Sequence, residues 1–137
     1  RTEDVRFGSP GDEDLHHIPH SQEITREMSN FARLVSQSLL IKHKDSNDIF
    51  LTLARVHYQF IRIHPFKDGN GRIARALTDK MSIFFGLPPA MNGFPRHDEK
   101  KRENYHLAIR ACVDDPSCYD LALWIGNYIN SQLEQLA

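Results

Sequence analysis

Apolar residues recur at spacings of three and four along most of the chain, which is typical of amphipathic α-helices. The five apolar stripes are Ile24, Met28, Phe31, Val35 and Leu39; Ile49, Phe50, Leu53, His57, Phe60 and Ile61; Ile73, Leu77, Met81 and Phe84; Tyr105, Ala108, Ile109 and Cys112; and Leu121, Ala122, Ile125, Tyr128 and Ile129. We therefore predict an all-α fold in which five helices pack as a compact bundle over residues 21–137.

Residues that favour helix ends flank three of these stripes. Ser21 is the expected N-cap of the first helix, and Ser46, Asn47 or Asp48 is the expected N-cap of the second. The third helix should end where Gly86 can take the left-handed C′ position.

The first twenty residues differ from the rest of the chain. Two short runs with strand character, "EDVRF" and "LHHI", are separated by the turn-rich "GSPGDED", which indicates a weak β-hairpin with strands at residues 5–7 and 15–18. The chain opens on Arg1 rather than methionine, so we expect it to be part of a longer protein.

Length and composition restrict the function classes. A chain of 137 residues is in the usual range for one domain, and 17 basic against 18 acidic side chains give no argument for a nucleic-acid or membrane-surface partner. No apolar run approaches the roughly 20 residues that span a bilayer. Cys112 and Cys118 fit neither a metal knuckle nor a disulfide framework. We expect a cytoplasmic protein, or one delivered to a host cytoplasm if it is a secreted effector.

The segment "HPFKDGNGR", His64 to Arg72, concentrates the candidate chemistry. A calcium loop beginning at Asp68 is excluded because Ile73 occupies the position that requires glycine. A P-loop is excluded because the segment does not end in a Gly-Lys-Ser/Thr triplet. The glycines also match GxGxxA, but a dinucleotide fingerprint must come after a strand, and a helical stripe precedes this one.

A glycine-rich loop that opens a helix remains, and such a loop aims backbone N–H groups and the positive end of the helix dipole at an anion. Arg72 and Arg75 can grip phosphate oxygens from one face of that helix, and Asn70 adds a neutral donor. The carboxylate of Asp68 would repel a phosphate unless it binds a cation, so its presence in this loop indicates Mg²⁺. His64 is suited to act as a general base.

Phe66 lies between two polar neighbours in the same segment. We interpret it as an anchor that turns into the core and fixes the loop.

The segment "HPFKDGNGRIAR" resembles, at every defining position, the HxFx(D/E)GNGRxxR signature of Fic domains. The likeness extends to "LARVHYQFIRIHPF", which is similar to the helix that leads into the Fic loop, and to "RTEDVRFG" and "HIPHS", which are similar to the flap region. Roughly the whole chain can be laid along a Fic core.

The resemblance implies a helical core with a β-hairpin flap and transfer of AMP from MgATP to a hydroxyl side chain (Tyr, Thr or Ser) of a target protein. It implies these roles: His64 as the base; Asp68 as the Mg²⁺ ligand; Gly69, Asn70 and Gly71 as the anion hole; and Arg72 and Arg75 as phosphate ligands, with an inhibitory glutamate as the alternative contact of Arg75. Because the helix after the second stripe packs near the nucleotide in Fic folds, Tyr105 is a candidate to line the adenine pocket.

The resemblance also bears on partners and regulation. The flap would align an extended target segment by strand addition, and the protein could also modify itself. Many Fic proteins carry an inhibitory helix with the pattern [S/T]xxxE[G/N], which has no match in this chain. Inhibition would then come from a missing segment, from a separate partner, or not at all.

Two alternatives stay open. The same fold could remove AMP or transfer UMP, phosphocholine or phosphate. The chain could also be a non-catalytic nucleotide-binding interaction domain, although retention of His64 and Asp68 argues against this, since a pure anion binder needs neither group.

Overall fold

A computed structural model describes Arg1 and residues 18–89, 91, 94 and 96–136. These residues form a short 3₁₀ helix, Ser21–Glu23, and five α-helices: α1 Ile24–Leu40, α2 Ser46–Ile63, α3 Asn70–Phe84, α4 Glu99–Ala111 and α5 Tyr119–Leu136. The described part of the chain contains no strand. The all-α prediction is confirmed for these residues, and each apolar stripe lies on its own helix, with Cys112 as the C-cap of α4. None of these helices has both the length and the apolar character needed to cross a membrane.

The hairpin predicted at residues 5–7 and 15–18 lies outside the described residues except for Ile18, which is not in a strand. The all-α description therefore applies to the helical part of the chain, and the flap stays a prediction.

Both predicted helix starts are wrong by one or more residues, and the predicted stop is confirmed. His20, not Ser21, precedes the 3₁₀ turn, and its N–H donates to the Glu23 carboxylate at 3.0 Å. The N-cap of α2 is Asp45, whose carboxylate accepts from the Asp48 N–H at 3.0 Å. Gly86 has a φ of 79° just after α3, the left-handed conformation expected of a C′ glycine.

The second helix, α2, is the centre of the bundle and packs against α1, α3 and α5. Its side chains are buried on most of its circumference, and those of Leu53 and His57 have no exposed surface. Exposed polar side chains of α2, such as that of Arg55, lie on the remaining narrow strip, and a helix with so broad a buried face is stabilised by packing against its neighbours. The C-terminal end of α2 is therefore a rigid support for the next residue, His64.

Close packing of α5 on α2 depends on Gly126. A Cβ atom at this position would lie 2.7 Å from the Phe50 ring, which is nearer than two carbon atoms can approach. Since Gly126 is buried in the middle of α5, the missing side chain lets the two helices meet closely along the buried face of α2.

Candidate active site

The loop between α2 and α3 begins with a residue in an unusual conformation. His64 is the C-cap of α2, with φ 51° and ψ 57°, and its N–H still donates to the Phe60 carbonyl at 3.1 Å. Left-handed backbone is uncommon for residues other than glycine, and such conformations cluster at functional sites. The reversal takes the chain out of α2 immediately, so the imidazole stays beside the end of a buried helix.

The ring of His64 has a defined tautomer when neutral. Its Nδ1 lies 3.3 Å from the Ile61 carbonyl oxygen, which can only accept, so Nδ1 carries the proton and Nε2 carries the lone pair. Burial is the main cause that lowers the pKa of this half-buried group, the positive charge of Arg1 lowers it further, and the bond to Ile61 opposes them. His64 is therefore neutral at physiological pH and able to accept a proton.

Arg1 holds the end of α2 from outside the helix. Its guanidinium group donates to the carbonyl oxygens of His64 at 2.7 Å, Ile63 at 3.2 Å and Pro19 at 2.6 Å. Carbonyls at a helix C-terminus lack donors within the helix, and a cation there is favourable. No local pattern in "RTEDVRFG" indicated the contacts with α2, because they join residues more than sixty positions apart.

Asn70 closes the loop with its side chain. Its Oδ1 accepts from the Phe66 N–H at 3.0 Å, and its Nδ2 donates to the Phe66 carbonyl at 2.7 Å. The residue is buried, and both ends of its amide are engaged. The donor that Asn70 can offer to an anion is therefore its backbone N–H.

The prediction that the Phe66 ring anchors the loop in the core is wrong. That side chain is 47% exposed, and its ring centroid lies 6.5 Å from that of Phe60. The backbone of Phe66 fixes the loop instead, through its two hydrogen bonds with Asn70.

The N-terminus of α3 presents donors at the end of the same loop. Gly69 precedes the helix with φ 83°, and the first intrahelical bond runs from the Ile73 N–H to the Gly69 carbonyl at 3.0 Å. The N–H groups of Asn70, Gly71 and Arg72 accordingly have no acceptor within the helix. Three converging N–H groups at the positive end of a helix dipole favour an anion.

The two glycines make room for the two arginines. A Cβ atom at Gly69 would lie 3.2 Å from a guanidinium nitrogen of Arg72, and one at Gly71 would lie 3.2 Å from a guanidinium nitrogen of Arg75. Both side chains thus fold back over the loop backbone and bring two positive charges to the helix N-terminus. This is the arrangement expected for a phosphate site.

Asp68 stands at the solvent side of the loop. Its side chain is 93% exposed and pairs with Arg72 at 3.3 Å, and an exposed pair of this kind separates easily. The described residues contain no group of three or more His, Cys, Asp or Glu side chains that could hold a metal by themselves. A single carboxylate nevertheless fits Mg²⁺, which binds through one or two carboxylates together with substrate phosphates and water.

Tyr105, the candidate for the adenine pocket, lies in the core. The residue is 2% exposed, and its hydroxyl lies 2.6 Å from Nε2 of His57. Its contact with a nucleotide base stays a prediction. The expectation that His57 is a hydrogen-bonded core histidine is confirmed, since it is fully buried with partners at both ring nitrogens.

The geometry defines a class: a helical domain with a histidine at the end of one helix and, across a short loop, a second helix whose N-terminal N–H groups and two arginines suit an anion. A family model described as the Fic/DOC family matches residues 1–82, which include this whole site. The chain belongs to the Fic/DOC family.

Several similar curated proteins bear the name protein adenylyltransferase Fic. That of Nematostella vectensis is 34% identical over 84 residues, covering 61% of this chain and 19% of the relative. That of Drosophila ananassae is 30% identical over 133 residues, covering 88% of this chain and 25% of the relative. That of Drosophila virilis is 40% identical over 95 residues, covering 61% of this chain and 19% of the relative. The chain thus spans between 19% and 25% of the lengths of these three relatives.

Proposed function

We propose that this protein is an adenylyltransferase that moves AMP from MgATP to a hydroxyl side chain of a target protein. The observation that carries the proposal is the juxtaposition of a neutral His64 with the N-terminus of α3, where Arg72 and Arg75 fold over the glycines. Membership of the Fic/DOC family and the names of the relatives support the same reaction.

The proposed chemistry is a substitution at the α-phosphorus. The hydroxyl oxygen of the target forms a bond to that phosphorus while its proton passes to Nε2 of His64. The bond from the α-phosphorus to the bridging oxygen of the β-phosphate breaks, and pyrophosphate leaves with the electron pair. Positioning and charge stabilisation supply most of the catalysis in such transfers.

The loop residues have distinct tasks in this proposal. The N–H groups at the start of α3 hold the charged oxygens, and Arg72 and Arg75 hold the phosphates from the side. Asp68 would hold Mg²⁺, which when bound neutralises charge on the phosphate oxygens. The exposed pair between Asp68 and Arg72 separates easily, so each group can turn to a bound nucleotide.

Target recognition and control belong to the proposal as well. An extended segment of the target would pair with the flap in residues 1–20, and another copy of the chain could serve as a target. Inhibition would come from a segment outside this sequence or from a separate partner, and the protein would act in the cytoplasm.

Radiolabelled nucleotide distinguishes this reaction from its alternatives. Protein incubated with MgATP and lysate should transfer label from the α-phosphate but not from the γ-phosphate. Transfer of the γ label would instead indicate phosphate transfer. When a uridine nucleotide or a choline-containing nucleotide is added as the donor, the intact mass of the modified target would identify transfer of UMP or phosphocholine. If the protein binds nucleotide but transfers no group, the result would favour the alternative of a non-catalytic interaction domain. His97→Ala, which removes an exposed histidine, is the matched control for His64→Ala.

A further inference from the structure

A buried chain of hydrogen bonds joins three helices behind the loop. Nδ1 of His57 on α2 lies 2.8 Å from the Thr78 hydroxyl on α3, and Nε2 lies 2.6 Å from the Tyr105 hydroxyl on α4. All three side chains are at most 2% exposed. Three polar groups in a core are costly unless each is satisfied, so the direction of each bond can be worked out.

The Thr78 hydroxyl fixes the direction of the whole chain. It donates to the Ala74 carbonyl at 2.9 Å, so its single proton is used and its oxygen must accept from His57. Nδ1 of His57 is then the donor, and Nε2 must accept from the Tyr105 hydroxyl. Burial, and after it the charge of Arg75, lowers the pKa of His57 to about 3, which keeps the ring neutral as this order requires.

The oxygen of Tyr105 consequently faces its surroundings only as an acceptor. The positive charge of the Arg75 guanidinium group is near enough to that hydroxyl to oppose burial, which is the larger effect and raises the pKa of Tyr105. The same guanidinium lies over the Phe94 ring, 4.5 Å from its centroid, and the Phe94 ring meets that of Tyr105 edge to face at 4.9 Å. Tyr105 and Phe94 thus form two walls around the arginine head group.

Arg75 and Thr78 are three residues apart on α3, so the chain of hydrogen bonds that begins at Thr78 ends at Tyr105, whose ring packs against the Phe94 ring under the Arg75 guanidinium of the same helix. The first turns of α3 are tied through α2 to α4 by this route. We propose that Tyr105, held by His57 and Thr78, is a positioning residue that fixes the Arg75 guanidinium group for a nucleotide phosphate. The inference rests on the proposed function, because that function supplies the phosphate, and it gives Tyr105 a role other than contact with the adenine ring.

Tyr105→Phe tests the inference because it removes one oxygen and leaves the buried ring. An arginine head group held in place in advance loses less freedom when a ligand binds, so the variant should bind MgATP about three- to tenfold more weakly. Tyr128→Phe is the matched control, since Tyr128 stacks on Trp124 in the same aromatic cluster. It should bind MgATP as the wild type does.

A double-mutant cycle separates positioning from general destabilisation. In an Arg75→Ala background, Tyr105→Phe should cause no further loss of MgATP affinity by calorimetry, and adenosine binding should be unchanged in all four proteins. Thermal melting shows which proteins are folded at the titration temperature. A second variant, Thr78→Ser, keeps the hydroxyl and should bind MgATP as the wild type does.

The outcomes that overturn the inference are distinct from those that overturn the function. If the wild type binds MgATP and Tyr105→Phe binds it equally well, or loses affinity to the same extent without Arg75, the positioning role is wrong and the function stands. If the wild type binds no MgATP, the proposed function fails and the inference fails with it.

Discussion

Removal of the Asn70 side chain should loosen the loop and weaken nucleotide binding together. Asn70→Ala deletes two hydrogen bonds, at 3.0 Å and 2.7 Å, between a 2% exposed amide and the backbone of Phe66. Each such bond contributes about 0.5–1.5 kcal/mol net, so the free energy of unfolding should fall by about 1–3 kcal/mol. For a domain of this size the melting temperature should drop by roughly 3–12 °C.

A second substitution at the same position separates the effect of losing the loop's hydrogen bonds from the effect of adding charge. Asn70→Asp keeps an oxygen that can accept from the Phe66 N–H but sets another oxygen against the Phe66 carbonyl, and it adds a negative charge where an anion should bind. We expect MgATP affinity to fall further than in Asn70→Ala, although an acidic residue in the first turn is favourable for the helix.

Circular dichroism melting and calorimetric titration with MgATP measure the two effects. Asn30→Ala, at an exposed position of α1, is the control and should melt within about 1 °C of the wild type. An Asn70→Ala protein with wild-type melting and wild-type affinity would refute the view that this amide holds the loop.

Two further substitutions test the arginine placement and the state of the base. Gly71→Ala would put a Cβ atom 3.2 Å from the Arg75 guanidinium, so we expect weaker MgATP binding by calorimetry. The melting temperature should be equal or higher, because alanine favours helix more than glycine does. Unchanged MgATP affinity would contradict the close approach of Arg75 to Gly71. Because the pKa of His64 is lowered, the acid limb of the pH profile of kcat/KM should lie below that of an ordinary histidine, with activity lost as the pH falls through it. Arg1→Gln removes a positive charge and should move this limb to higher pH. Arg33→Gln, at an exposed position of α1, is the control and should leave the limb in place.

The helices were predictable because each carries a complete apolar stripe. Their first residues were less so: Ser21, Ser46, Asn47 and Asp48 are all acceptable caps, and the choice between neighbours depends on backbone geometry that the pattern does not contain. Gly86 was predictable because a glycine directly after the last apolar position has few other uses.

The kind of site that the loop forms was predictable from its residues, but the contacts inside the loop were not. Its glycines and arginines indicated an anion site, but the sequence could not show that the Asn70 amide faces inward or that Phe66 is half exposed. The contacts of Arg1 with the end of α2, and of Tyr105 with His57, join residues far apart in the chain, so they depend on the packing of the whole bundle.

The most direct test of the central claim is to separate binding from transfer at His64. His64→Ala should bind MgATP with an affinity close to that of the wild type, because the phosphate ligands lie on α3, and should transfer AMP to a target about 10²–10⁴-fold more slowly, because the base is gone. Transfer by His64→Ala at the wild-type rate, measured with α-labelled ATP under the same conditions, would contradict the account.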